Sequence, residues 1–164
     1  MKGGITMRFY KQQHKYFCGV DLHARKMYVC IVDQKGKTKI HQNIKTDPDL
    51  FLKLISRYRK NVVVGVECVF CWYWLADLCG ENRIPFVLGH ALYMKAIHGA
   101  KTKNDKIDSY KIAMLLKGGN FPIAYTYPAQ RRATRDLLRR RMYLSHHCSE
   151  LVAHIQNTNT QYNL

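Results

Sequence analysis

Along the chain, short apolar stretches alternate with polar punctuation, and the period of that alternation changes with position. From Tyr16, the segments YFCGVDL, KMYVCIVD and KTKIHQNI carry the two-residue period of half-buried strands, with Val29 and Ile31 on one face of the second. The QKGK between the second and third offers a tight turn through Gly36, so the three are expected to form a meander. TDPDLFLKLISRYRK then takes up helical spacing. Thr46 or Asp47 can cap it, Pro48 is tolerated in its first turn, and Leu50, Leu54, Ile55 and Tyr58 fall on one face.

NVVVGVE is a continuous apolar run, the pattern of a strand buried on both faces and paired parallel with an earlier one. WYWLADLCGEN reads as a helix closing near Gly80, and IPFVL as a further buried strand. Strand, helix, strand implies a right-handed crossover, so the predicted class is α/β with a mixed sheet and flanking helices. Asp105 to Lys117 reads as a helix stopped by Gly118-Gly119, and FPIAYTYPA as a linker. A long basic helix is predicted from Gln130 to about Gln156. In it Leu137, Leu144 and Leu151 recur every seven residues beside Leu138, Val152 and Ile155, a stripe suited to packing on the domain or on another helix.

Charge adds a partner to this picture. Lys and Arg number 27 against 11 Asp and Glu, a formal +16 over 164 residues, which attracts polyanions and makes nucleic acid the expected partner. A merely soluble basic surface, or binding to anionic membranes, is the plainer alternative. The first fifteen residues contain no apolar h-region, and the longest apolar run, Val62 to Ala76, is broken by Glu67 and shorter than a bilayer span. Neither a secretory signal nor a membrane partner is expected, and the expected location is a reducing cytosol. There the six cysteines read as small buried hydrophobes, and the Cys68-x-x-Cys71 pair lacks the second half of a zinc set.

The acids are few, which makes their positions informative. Glu67 ends VVVGVE and precedes CVFCWYW, and Asp21 ends an apolar strand in the same way. A buried carboxylate without a partner costs several kcal/mol, about the range for unpaired polar burial, so each needs a proton, a hydrogen-bond donor or a cation. If the two strands are parallel neighbours, both acids emerge at one edge of the sheet, where α/β folds place ligand sites. Asp105 and Asp108 share a face at the start of their helix. Alone they read as a cap and an acidic first turn that complement the helix dipole. Together with Asp21 and Glu67 they would form a four-carboxylate site whose repulsion calls for divalent cations, Mg²⁺ or Mn²⁺, of the kind used in phosphodiester chemistry. Lys101, Lys103, Lys106 and Lys111 would offset the acids and hold phosphates, and Arg131, Arg132, Arg135, Arg139, Arg140 and Arg141 make the long helix either a solvated face or a phosphate-binding one. His23 is either an assistant to such a site or a surface histidine.

The order VDLHARKMYVCIVDQKGK, VVVGVECVFCWYWLADL, AKTKNDKIDSYKIAMLL resembles the N-terminal domain of bacterial insertion-sequence transposases of the DEDD, Piv-type class. The resemblance implies a RuvC-like (RNase H-like) catalytic domain over residues 16–127, a basic extension at 1–15, and an arginine-rich helical segment at 128–164. It implies that Asp21, Glu67, Asp105 and Asp108 are the catalytic, metal-binding acids of a DNA transposase or recombinase. It further implies DNA as partner, a structured guide RNA in some members, a homo-oligomer for the full-length protein, and a second, serine-bearing domain. No segment here matches that second domain, so a truncated fragment that only binds nucleic acid is the competing expectation. An actin-like kinase also begins with a meander ending in Asp, but its phosphate loop needs small residues where this chain has Leu22-His23-Ala24-Arg25.

Overall fold

The computed structural model describes residues 7–98 and 105–164, and the side chains of all of these except 95–98. By its internal contacts the chain divides into two compact units, Met1–Thr126 and Tyr127–Leu164.

The first unit is built on a five-stranded sheet. Its strands are β2 (Tyr16–Leu22), β3 (Lys26–Asp33), β4 (Thr38–Lys45), β5 (Val62–Glu67) and β6 (Phe86–Gly89), in the spatial order β4-β3-β2-β5-β6. The meander β2-β3-β4 is antiparallel, whereas β5 pairs parallel with β2 and β6 parallel with β5. Gly36 takes a left-handed φ of 81° in the turn before β4, where a side chain would be strained. Asp33 fixes the same turn, its Oδ1 accepting from the amides of Lys35 and Lys37, both at 2.9 Å.

Helices α1 (Pro48–Ile55) and α2 (Tyr73–Glu81) form the β-to-β crossovers. Asp47 caps α1 by accepting from the Leu50 amide at 2.9 Å. The buried face of α1 differs from the expected one: Phe51 and Ile55 are fully buried while Leu50 is exposed. Phe51 and Ile55 are four apart and share a face, and the aromatic ring removes more apolar area from water than Leu50 could. A 3-10 turn over Ser56–Asn61, rather than more α-helix, leads into β5. Cys18 and Cys30 in the sheet and Cys79 on α2 are buried thiols, and burial pushes Cys30 up to about 11 and Cys79 up to about 12, so they serve as apolar core.

Helix α3 (Ala91–His98) follows β6 and lay within no predicted element. Helix α4 (Asp105–Lys117) covers one face of the sheet and ends at Gly119, φ 70°. Its Ile112, Ala113, Leu115 and Leu116 share a core with Phe17, Cys30, Val32, Val63 and Phe121. Contact is so close that a Cβ on Gly19 would overlap the Ser109 carbonyl and approach the Ala113 amide to 2.5 Å. The expected linker is structured at its start. Phe121–Pro122 forms β7, antiparallel to β1 (Phe9–Tyr10) within the supposed basic extension, and Phe121 is fully buried.

The second unit is a single helix, α5 (Ala129–Gln161), with no buried residue. Leu137, Leu144 and Leu151 are each more than three-fifths exposed.

Candidate metal centre

The parallel pairing of β2 and β5 sets Val20 opposite Val66, so Asp21 and Glu67 follow at matching positions on neighbouring strands, about 4.8 Å apart in backbone spacing. Phe17, Gly19 and Asp21 share one face by strand alternation, as do Val63, Gly65 and Glu67. That face is the one α4 covers, because Gly19 abuts Ser109 and Ala113 and Gly65 abuts Leu116. Helix α4 therefore runs against β2, and its first turn reaches the edge where the two strands end.

His23 Nε2 lies 3.3 Å from Asp21 Oδ2 and 3.7 Å from Asp105 Oδ1. Ligand atoms of Asp21, His23 and Asp105 all fall within 4.8 Å of one another. Asp108 sits one turn further on, its Oδ1 3.4 Å from Lys111 Nζ, close enough to Asp21 to disfavour ionisation there. The Asp21 side chain is only 13% exposed. Its carboxyl is pushed above the usual range, first by burial; His23 opposes the rise, and Asp105 and Asp108 add to it. Such a carboxylate is poorly satisfied by the protein alone. Two carboxylates and an imidazole with ligand atoms within 4.8 Å of one another can hold a divalent cation, which would supply the countercharge the acids lack.

The start of α4 is held by a histidine that the sequence did not single out. His41 Nε2 donates to the Lys106 carbonyl at 2.7 Å, and Ser109 Oγ donates to the same oxygen at 2.9 Å. Tyr28 and Tyr110 flank the His41 ring, with centroids at 5.3 and 6.3 Å. Thus β4 pins the turn that carries Asp105 and Asp108. Only the three-dimensional approach of β4 to α4 reveals this; no spacing in the sequence signals it.

Of the lysines expected to meet phosphate, Lys106 is exposed on α4 and Lys111 pairs with Asp108, while Lys101 and Lys103 lie outside the described residues. The arginines of α5 separate into two groups. Arg131, Arg139, Arg140 and Arg141 are exposed. Arg132 and Arg135 are half-buried: Arg132 Nε donates to the Tyr127 carbonyl at 3.0 Å, and Arg135 stacks its guanidinium 5.1 Å from the Tyr127 ring centre while bonding Asp136 at 2.9 Å. Cys68 and Cys71 are half-buried beside the strand end and do not belong to the Asp21–His23–Asp105 group. Among the described residues no helix is long and apolar enough to cross a membrane.

A mixed sheet in this strand order, with a helix bearing two acids against the ends of its central parallel strands, is a RuvC-like, RNase H-like fold. The structure is similar to that of T. thermophilus RuvC in complex with Holliday junction substrate, with a TM-score of 0.52 and 13% identity over 67% of this chain and 100% of that one. The Thermus thermophilus RuvC structure also matches, with a TM-score of 0.45 and 15% identity over 66% of this chain and 99% of that one. Residues 18–164 match the family model of the DEDD transposases of the IS110 type, described as "Transposase". That match spans most of the chain, and the chain belongs to this transposase family. No curated protein matches it in sequence.

Proposed function

We propose that the first unit performs divalent-metal-dependent phosphodiester chemistry on DNA during transposition, with Asp21, Glu67, Asp105 and Asp108 as its catalytic acids. The observation that carries this reading is the meeting of Asp21 with Asp105 and Asp108, from elements more than eighty residues apart, beside the strand end that bears Glu67. Mg²⁺ or Mn²⁺ bound there would activate an attacking oxygen and stabilise a leaving one. The chain's own part is to hold the acids in register: β2 and β5 present Asp21 and Glu67 side by side, and His41 fixes the first turn of α4. DNA as substrate is supported by the family and by the excess positive charge, and the similar T. thermophilus RuvC structure is of a complex with a Holliday junction substrate. The order Asp, Glu, Asp, Asp supports the Piv-type subclass. The exposed Leu137, Leu144 and Leu151 stripe supports a homo-oligomer in the full-length protein, and a guide RNA is a partner that the exposed arginines suit equally.

Asp105→Asn and Glu67→Gln should each lower DNA strand processing by about 100-fold or more, since a metal ligand supplies several kcal/mol to the transition state. Circular dichroism should stay unchanged. Full activity in both variants would sink the proposal.

A second reading, passive binding of nucleic acid by this chain, is favoured by the four exposed arginines of α5. It predicts an affinity that falls steeply with salt, with a log-log slope of about −0.9 for each phosphate neutralised on duplex DNA. Metal-dependent cleavage by the purified chain would reject it.

A further inference from the structure

We propose that His23 is a nitrogen ligand of the cation at this carboxylate edge, and that it biases the site toward Mn²⁺, which accepts an imidazole more readily, over Mg²⁺. The inference rests on the metal reading above and adds a donor of a different type to it.

The position of His23 is set by the fold. It follows β2 by one residue and Asp21 by two, its amide donates to the Lys26 carbonyl at 3.1 Å, and its own carbonyl accepts from Thr46 Oγ1 at 2.8 Å. The ring is thus launched from an anchored hairpin end rather than from a loose loop. It is 47% exposed, yet its Nε2 lies between acids from two different elements.

His23 Nε2 is within hydrogen-bond range of Asp21 Oδ2, but at a long distance. A committed charge-assisted hydrogen bond has a nitrogen-to-oxygen distance of about 2.7–2.9 Å. The observed 3.3 and 3.7 Å are longer than that for both acids. Two donors in adjacent positions around an octahedral ion with bonds of about 2.1 Å are separated by roughly 3.0 Å, and two in opposite positions by roughly 4.2 Å. The Asp21 separation is about 0.3 Å above the adjacent-position value and the Asp105 separation lies between the two, so small side-chain rotations are enough to bring the donors onto one ion without moving the backbone. The tautomer with its proton on Nδ1 leaves the Nε2 lone pair for the ion. Carboxylate and water donors suit Mg²⁺ and Mn²⁺ alike, whereas an imidazole favours the later and softer ion.

The test uses Mn²⁺ as the probe and the full chain as the protein. Electron spin-echo modulation of the wild type with one Mn²⁺ bound should show coupling to a ¹⁴N nucleus, and His23→Ala should lose it. By calorimetry His23→Ala should weaken Mn²⁺ binding by about tenfold, the order seen when a metal's surroundings are altered, and weaken Mg²⁺ less. Bound Mn²⁺ without nitrogen coupling in the wild type, coupling that survives in His23→Ala, or equal losses for both metals would each overturn the role of His23 while leaving the carboxylate site standing. A folded wild type that binds Mn²⁺ no better than an Asp21→Asn control would overturn the metal reading itself and His23 with it.

Discussion

Two aspartates mark opposite ends of the β2-β3 hairpin, and their surroundings are opposite as well. Asp33, at the end where β3 leaves the sheet, is met by Lys39 Nζ at 2.9 Å and by the amides of Lys35 and Lys37. Its carboxyl is held below the usual range, chiefly by the hydrogen bond from Lys39. Asp21, at the other end, is half-buried among further acids, and its carboxyl is pushed up. One carboxylate is satisfied by the chain that carries it. The other meets His23 at 3.3 Å with two further acids nearby, and this contrast separates an acid serving the fold from an acid serving a site.

The sharpest way to break the contrast is to lift α4 away. Gly19→Val places a branched side chain where the Ser109 carbonyl already sits, and backbone cannot yield as a flexible side chain can. A loss of about 3 kcal/mol or more is expected in chemical denaturation, at the upper end of overpacking effects. The turn around Asp33 would be untouched by the substitution itself. Gly65→Ala should be milder, because its neighbour is the movable Leu116 side chain, 2.5 Å from the new Cβ.

A smaller effect is expected from His41→Ala, which removes the donor to Lys106 O but leaves Ser109 on the same oxygen. Urea denaturation should show a loss of about 1 kcal/mol, the net worth of one hydrogen bond. The substitution's effect on DNA processing should exceed what the lost stability explains, since the turn carrying Asp105 and Asp108 is loosened. Equal activity at saturating metal would remove His41 from the account.

Much of the sheet was legible in the sequence because its signals are local. Alternation in β2 and β3, an unbroken apolar run in β5, and Gly36 in the turn each need only a few neighbours to be read. β1 and β7 escaped because each is two residues long and exists only through pairing with the other, across more than a hundred residues. The face of α1 was misjudged at Leu50 because aliphatic spacing alone does not weigh Phe51. Within the site, the strand-end positions of Asp21 and Glu67 could be inferred, as could the shared face of Asp105 and Asp108. For His23 the sequence left open an assistant or a surface role, and the anchor made by His41 could not be read at all, because both depend on which elements α4 touches. The stripe on α5 shows the converse: its seven-residue period was plain, but a period does not say what covers it, and here its leucines are exposed.

The central claim is that Asp21 and its neighbours repel one another until a cation joins them, and folding stability measured against pH tests it most directly. A raised folded-state value means that the native state binds more protons than the unfolded one, so Asp21 should make stability fall as pH rises through its unfolded value, near 3.9, toward its folded one. Asp33, with its value lowered, should do the reverse and lose its contribution on acidification. Comparing wild type with Asp21→Asn isolates the first effect. Without metal, the variant should be the more stable protein at neutral pH, and added Mg²⁺ or Mn²⁺ should raise the melting temperature of the wild type and not that of the variant. A metal-free Asp21→Asn no more stable than wild type, together with identical responses to the ions, would contradict the account.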